Sequence, residues 1–91
     1  MSLIYMGRAK NDLRQIIGYR IDNYLTDPLG YARGLRDRIK QLYDLRHPGK
    51  RGRKSGTREW MLAPFPYYAV FKQHQEDIKV YRVLHGSRQW P

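Results

Sequence analysis

The 91-residue chain carries 18 Lys and Arg against 8 Asp and Glu, a net charge of +10, with 41% hydrophobic residues, 13% aromatic residues and no cysteine. This supports one thin core in a single domain over residues 1–91, and leaves no room for a dinucleotide-binding fold or a large enclosed pocket. The missing cysteine excludes a disulfide scaffold and a thiolate metal site, while no apolar run nears the roughly 18 residues of a membrane span.

In chain order, Leu3-Ile4-Tyr5-Met6 reads as a brief first strand ended by Gly7. From Ala9 the period changes. Ala9, Leu13, Ile16, Ile17, Ile21, Tyr24 and Leu25 follow steps of three and four, one face of an amphipathic helix. Thr26-Asp27-Pro28 breaks and restarts the chain, with Asp27 as a cap and Pro28 at the first helical position. A second helix then runs to about Leu45 on a stripe of Ala32, Leu35, Ile39, Leu42 and Tyr43. Gly30 and Gly34 lie off that stripe and read as tolerated.

His47-Pro48-Gly49 ends the helix. A basic, glycine-rich loop follows to Gly56, then three strands: Thr57–Leu62, Tyr67–Lys72 and Ile78–Leu84. A five-residue polar connection, Gln73 to Asp77, joins the last two as a hairpin. The order β-α-α-β-β-β predicts an α+β fold, with a helical hairpin packed on a small antiparallel sheet. One sheet face, or the edge beside the basic loop, is left for function.

Charge is concentrated. Residues 46–58 hold Arg46, Lys50, Arg51, Arg53, Lys54 and Arg58 with no acid, over half the net charge in 13 residues. Such a patch points to a polyanion or an acidic protein. Lys50, Arg51, Arg53, Lys54 and Arg58 are therefore the candidate target-binding or nucleic-acid-binding residues. Otherwise the segment is a solvated, mobile loop.

The familiar enzyme signatures are absent. Gly49-Lys50-Arg51-Gly52 lacks the spacing of a phosphate-binding loop. Few carboxylates are present, so a paired-carboxylate mechanism is not expected. His47, His74 and His85 do not have a local metal-ligand spacing; no metal or cofactor is expected, and the cytoplasm is the expected compartment. Arg82 lies in register with Ile78, Val80 and Leu84, and an arginine on an apolar face needs a partner, for which Glu59 and the C-terminal tail are candidates. His85-Gly86-Ser87-Arg88-Gln89-Trp90 gathers imidazole, hydroxyl, guanidinium and indole in six residues. His85 could move a proton, and Arg88 or Arg82 could stabilise charge on a phosphate. Tyr68 or Trp90 could stack on a base.

Three stretches carry a family likeness. Gly56-Thr57-Arg58-Glu59-Trp60, Pro66-Tyr67-Tyr68-Ala69-Val70-Phe71 and Tyr81-Arg82-Val83-Leu84-His85-Gly86-Ser87-Arg88-Gln89-Trp90-Pro91 resemble the RelE/ParE superfamily of toxins from bacterial type II toxin–antitoxin systems. Ala9-Lys10-Asn11-Asp12-Leu13 fits the start of the family's first helix. The resemblance implies a small α+β domain and a cognate antitoxin, often acidic, whose C-terminal segment wraps the toxin. It also implies one of two activities. RelE-type toxins cut messenger RNA on the ribosome; ParE-type toxins poison DNA gyrase and have no recognised nuclease site. RelE-type toxins use lysines on the second strand, where this chain has Glu59, Trp60 and Met61. They place an arginine near the start of the third, where this chain has Tyr67-Tyr68. Arg88 aligns with a catalytic arginine, and His85-Gly86 is half of a C-terminal His-Tyr pair. Missing cations favour gyrase inhibition. The alternatives are a metal-independent, ribosome-dependent mRNA endonuclease and a non-toxic nucleic-acid-binding module.

Overall fold

The computed structural model describes residues 2–45 and 49–88. It contains β1 (Leu3–Tyr5), α1 (Gly7–Asp22), α2 (Pro28–Asp44), β2 (Lys50–Arg51), β3 (Arg58–Met61), β4 (Tyr67–His74) and β5 (Asp77–His85). The predicted β-α-α-β-β-β order holds, with the two-residue β2 added inside the basic segment. The sheet has five strands in the order β1-β5-β4-β3-β2. All pairings are antiparallel except that of β1, which runs parallel to β5.

Both helices lie on one face of the sheet. Ala9, Leu13 and Ile16 of α1 and Leu35, Ile39 and Leu42 of α2 pack against Leu62, Ala69, Phe71, Ile78, Val80 and Val83. The three-and-four spacing of these residues buries one stripe of each helix, which tertiary packing then stabilises. As expected, the Asp27 side chain accepts a hydrogen bond from the Gly30 amide at 3.1 Å, with Pro28 at the first helical position.

The apolar period of α1 overstates the helix. Ile21, Tyr24 and Leu25 continue the pattern but stay exposed, Tyr24 at 95%. The helix stops at Asp22, and Tyr24 adopts a positive φ of 54° in the turn. Gly34 is also more than tolerated. A Cβ there would lie 2.7 Å from Phe65 Cζ, so its hydrogen admits the ring, which itself meets Tyr31 edge-on at 5.0 Å.

The β4–β5 connection is shorter than the sequence implies. His74 pairs with Asp77, leaving a two-residue turn in which Gln75 takes a positive φ of 55°. A register shift divides β5. Phe71 pairs with Val80 but Val70 pairs with Arg82, so Tyr81 is an extra residue on that strand. Ile78 and Val80 therefore face the helices, while Arg82 and Leu84 face the opposite side. The uninterrupted alternation expected over 78–84 is broken at the bulge.

The basic segment is a folded hairpin, not a mobile loop. Lys50 pairs with Glu59 and Arg51 with Arg58. The Gly52 amide donates to the Thr57 carbonyl at 2.8 Å, and Thr57 Oγ1 donates to the Lys54 carbonyl at 2.6 Å. Gly49 has a φ of +64°, and a Cβ there would meet the Glu59 carbonyl at 2.7 Å. The hairpin folds beside the sheet face that the helices leave open.

Candidate functional site

The face away from the helices carries a small buried apolar cluster of Tyr68, Val70 and Leu84. Glu59 and Met61 of β3 share that side by strand alternation, while Trp60 packs into the helical core. Glu59 is only 2% exposed, and a buried carboxylate needs partners. Arg53 supplies them. Its backbone amide donates to Glu59 Oε2 at 2.9 Å, and its Nε lies 3.6 Å from Oε1. Its guanidinium carbon sits 5.1 Å from the Tyr68 ring centroid. Longer contacts at 3.3–3.4 Å join Arg53 Nη1 to the Arg88 carbonyl and to the Tyr68 hydroxyl. Lys50 and Gly86 complete a hollow of about 50 Å³ around this group.

The sequence-predicted residues thus divide into sets. Arg53, Tyr68 and the Arg88 backbone meet in one cluster, with Lys50 on its rim. Tyr68 is 3% exposed, and Arg53 covers its ring. Arg51 and Arg58 form an exposed cross-strand pair of like charge, a pairing that works against the hairpin's stability. Lys54 lines a separate cleft with Lys72. Arg46 and Trp90 lie outside the described residues.

Arg82 is held elsewhere than expected. Its partner among the described residues is Asp12 of α1 and not Glu59; the end of the C-terminal tail, residues 89–91, lies outside the described residues. Nε donates to Asp12 Oδ2 at 2.8 Å and Nη2 to Oδ1 at 3.0 Å, with both residues buried. These bonds push the arginine's pKa further up from its usual value. Asp12 Oδ2 also accepts the Val83 amide at 2.9 Å. β1 pairs only with Ile78–Val80, so this carboxylate replaces the missing neighbour along the exposed edge of β5.

His85 ends β5. Its Nδ1 accepts the Ser87 amide at 3.1 Å, with Ser87 Oγ 2.8 Å from the same nitrogen. A backbone amide can only donate, so the neutral ring carries its proton on Nε2. Tyr67 meets the imidazole edge-on at 5.5 Å. Burial, then the neighbouring Tyr31, pushes the Tyr67 phenol pKa up. The His85 ring and Arg88 line a cleft of about 180 Å³ with Gln15, Tyr19, Tyr67 and Leu84. Tyr19, Tyr67 and Lys72 escaped sequence reasoning. For Lys72 a signal existed: with Lys79 it brackets the β4–β5 turn symmetrically.

Among the described residues no group of three or more His, Asp or Glu could hold a metal ion. No helix is long and apolar enough to cross a membrane.

The family described as "ParE toxin of type II toxin-antitoxin system, parDE" matches residues 3–90. The chain belongs to the ParE toxin family. A solved structure described as "Chromosomal ParDE TA system from P. aeruginosa" superposes with a TM-score of 0.79 at 23% identity, covering 93% of this chain and 95% of that one. That likeness carries the fold alone, two helices packed on a five-stranded mixed sheet. No curated protein sequence gives a significant match. In this ParE-family chain the sheet face away from the helices holds the Arg53–Glu59–Tyr68 cluster.

Proposed function

We propose that this ParE-family toxin arrests bacterial growth as a non-catalytic inhibitor of DNA gyrase, and that a cognate antitoxin neutralises it. The observation that carries this reading is how Arg82, Arg53 and His85, gathered toward the C-terminal end of β5, are engaged. Arg82 is buried in a bidentate pair with Asp12, and Arg53 is committed to Glu59. The lone pair of His85 Nδ1 is occupied by Ser87. Cleaving RNA needs a base to take the 2′-hydroxyl proton and free cations beside the scissile phosphate. These partners leave such chemistry weakly supplied at that end of the sheet, whereas inhibition by binding needs only an exposed surface.

One observation favours a second reading. His85 and Arg88 share a cleft with two tyrosines, the residue types of a metal-independent ribonuclease. Induced expression in a bacterial host separates the two. Gyrase inhibition predicts a DNA-damage response with intact transcripts. Discrete new 5′ ends on translated messages, mapped by primer extension, would establish cleavage. Under that outcome Arg88→Ala should lower the rate by about 10²–10³.

An acidic antitoxin segment fits the charge. Arg51 and Arg58 stand side by side on the exposed hairpin, at the edge of the sheet face away from the helices. A partner covering that face would bring carboxylates to cations that otherwise repel one another.

A further inference from the structure

A second basic feature occupies the open face toward the β4–β5 turn. Lys72 of β4 stands directly opposite Lys79 of β5. Like charges opposite one another across a ladder weaken the pairing. Arg8 is similarly misplaced for stability. It lies in the first turn of α1, which contains no acidic residue, at the end of the helix dipole that repels cations. Arg8, Lys54, Thr57, Lys72, Tyr81 and Arg82 line one cleft of about 130 Å³. Arg82 is neutralised behind it by Asp12. Among the described residues no carboxylate is ion-paired with Arg8, Lys54 or Lys72. Three elements therefore converge cations on one hollow, two of them at positions that cost the fold stability.

We propose that this cleft binds the phosphodiester backbone of nucleic acid. Arg8, Lys54 and Lys72 would contact successive phosphates, and the bulged Tyr81, with Lys72 Nζ 5.3 Å from its ring centroid, would form the floor. Cations drawn from separate elements suit charges that repeat along a strand. An acidic peptide fits less well. β4 and β5 lie inside the sheet, and where β1 stops short of β5 the Val83 amide is already taken by Asp12, which disfavours strand addition at that edge. The proposal goes beyond gyrase inhibition and does not depend on it.

The test measures binding of the full chain to a labelled 20-base-pair DNA duplex, and separately to a single-stranded RNA of equal length, by fluorescence anisotropy across a salt series. Three proteins are compared: the native chain, Arg8→Gln/Lys72→Gln, and the control Arg33→Gln/Arg36→Gln. The control removes the same charge from a groove on the helical side. Each phosphate contact contributes about 0.9 to the slope of log affinity against log salt for duplex DNA, and about 0.7 for single strands. The cleft variant should lose about two contacts' worth of slope, while the control keeps the native slope. A loss seen only with the duplex identifies DNA as the source of the phosphates; one seen only with the RNA identifies RNA. Equal losses in both variants, or no binding by the native chain, would overturn the proposal. So would binding to polyglutamate that depends on the cleft while nucleic acid binding does not. The cleft variant should melt no lower than the native chain, since both substitutions remove unfavourable charge placements; a lower melting temperature would overturn that part of the argument. A native chain that inhibits gyrase but binds neither nucleic acid would refute the cleft alone, and cleft binding without gyrase inhibition would refute the gyrase reading alone.

Discussion

Asp12 answers two needs with one carboxylate: it neutralises Arg82 and accepts the Val83 amide where β1 no longer covers β5. Removing it would leave a buried guanidinium unpaired and a strand amide unsatisfied. Breaking a buried pair from one side costs about 3–5 kcal/mol, against a total stability of about 5–15 kcal/mol for a small domain. Asp12→Ala should therefore lower the urea midpoint sharply, and an unchanged midpoint would contradict this role. A gentler case lies at the other end of β5. Ser2 Oγ donates to Asp77 Oδ1 at 2.9 Å, and this bond holds the carboxyl below its ordinary pKa. A lowered folded-state pKa means the contribution is present above about pH 4 and is lost as pH falls through the lowered value. Ser2→Ala should return the Asp77 pKa toward the ordinary range, read from its carboxyl carbon in an NMR titration.

Among the elements, the helices were legible because the three-and-four period of Leu13, Ile16, Leu35, Ile39 and Leu42 reflects the face each buries. The same period failed at Tyr24 and Leu25, because a sequence pattern does not register where the sheet beneath the helix ends. The bulge at Tyr81 was equally invisible: Ile78, Val80, Arg82 and Leu84 alternate without a break in sequence, and only pairing with β4 reveals the extra residue. The basic segment shows the converse. Its charges suggested mobility, but its glycines permit a hairpin in which Arg53 is tied to buried Glu59. Its arginines are therefore not equivalent. Arg53→Glu would set a second carboxylate against Glu59 and should lower the melting temperature by several degrees, since about 1 kcal/mol corresponds to roughly 4–8 °C in a domain this small. Arg51→Glu, exposed and opposite Arg58, should leave it unchanged or raise it. Equal losses in the two variants would show that the Glu59 partnership contributes nothing.

For the whole molecule, the +10 charge, the open sheet face and the toxin fold form one picture. The candidate site was legible in part. Arg53, Tyr68 and Arg88 were marked by residue type and do converge on one face. Their engagement with Glu59 and with each other was not, because these partners come from three elements as many as 35 residues apart. The field of the exposed arginines should steer an acidic antitoxin, an attraction screened beyond about 8 Å at physiological salt. The association rate, measured by stopped flow, should thus fall steeply as salt rises; a rate independent of salt would place the basic hairpin outside that interface. The central claim is that the toxin acts by binding gyrase and performs no cleavage. The most direct measurement is the supercoiling of relaxed plasmid by purified gyrase as this toxin is titrated in. Progressive loss of supercoiling, reversed by the antitoxin, is the predicted result, and full supercoiling at saturating toxin would contradict it.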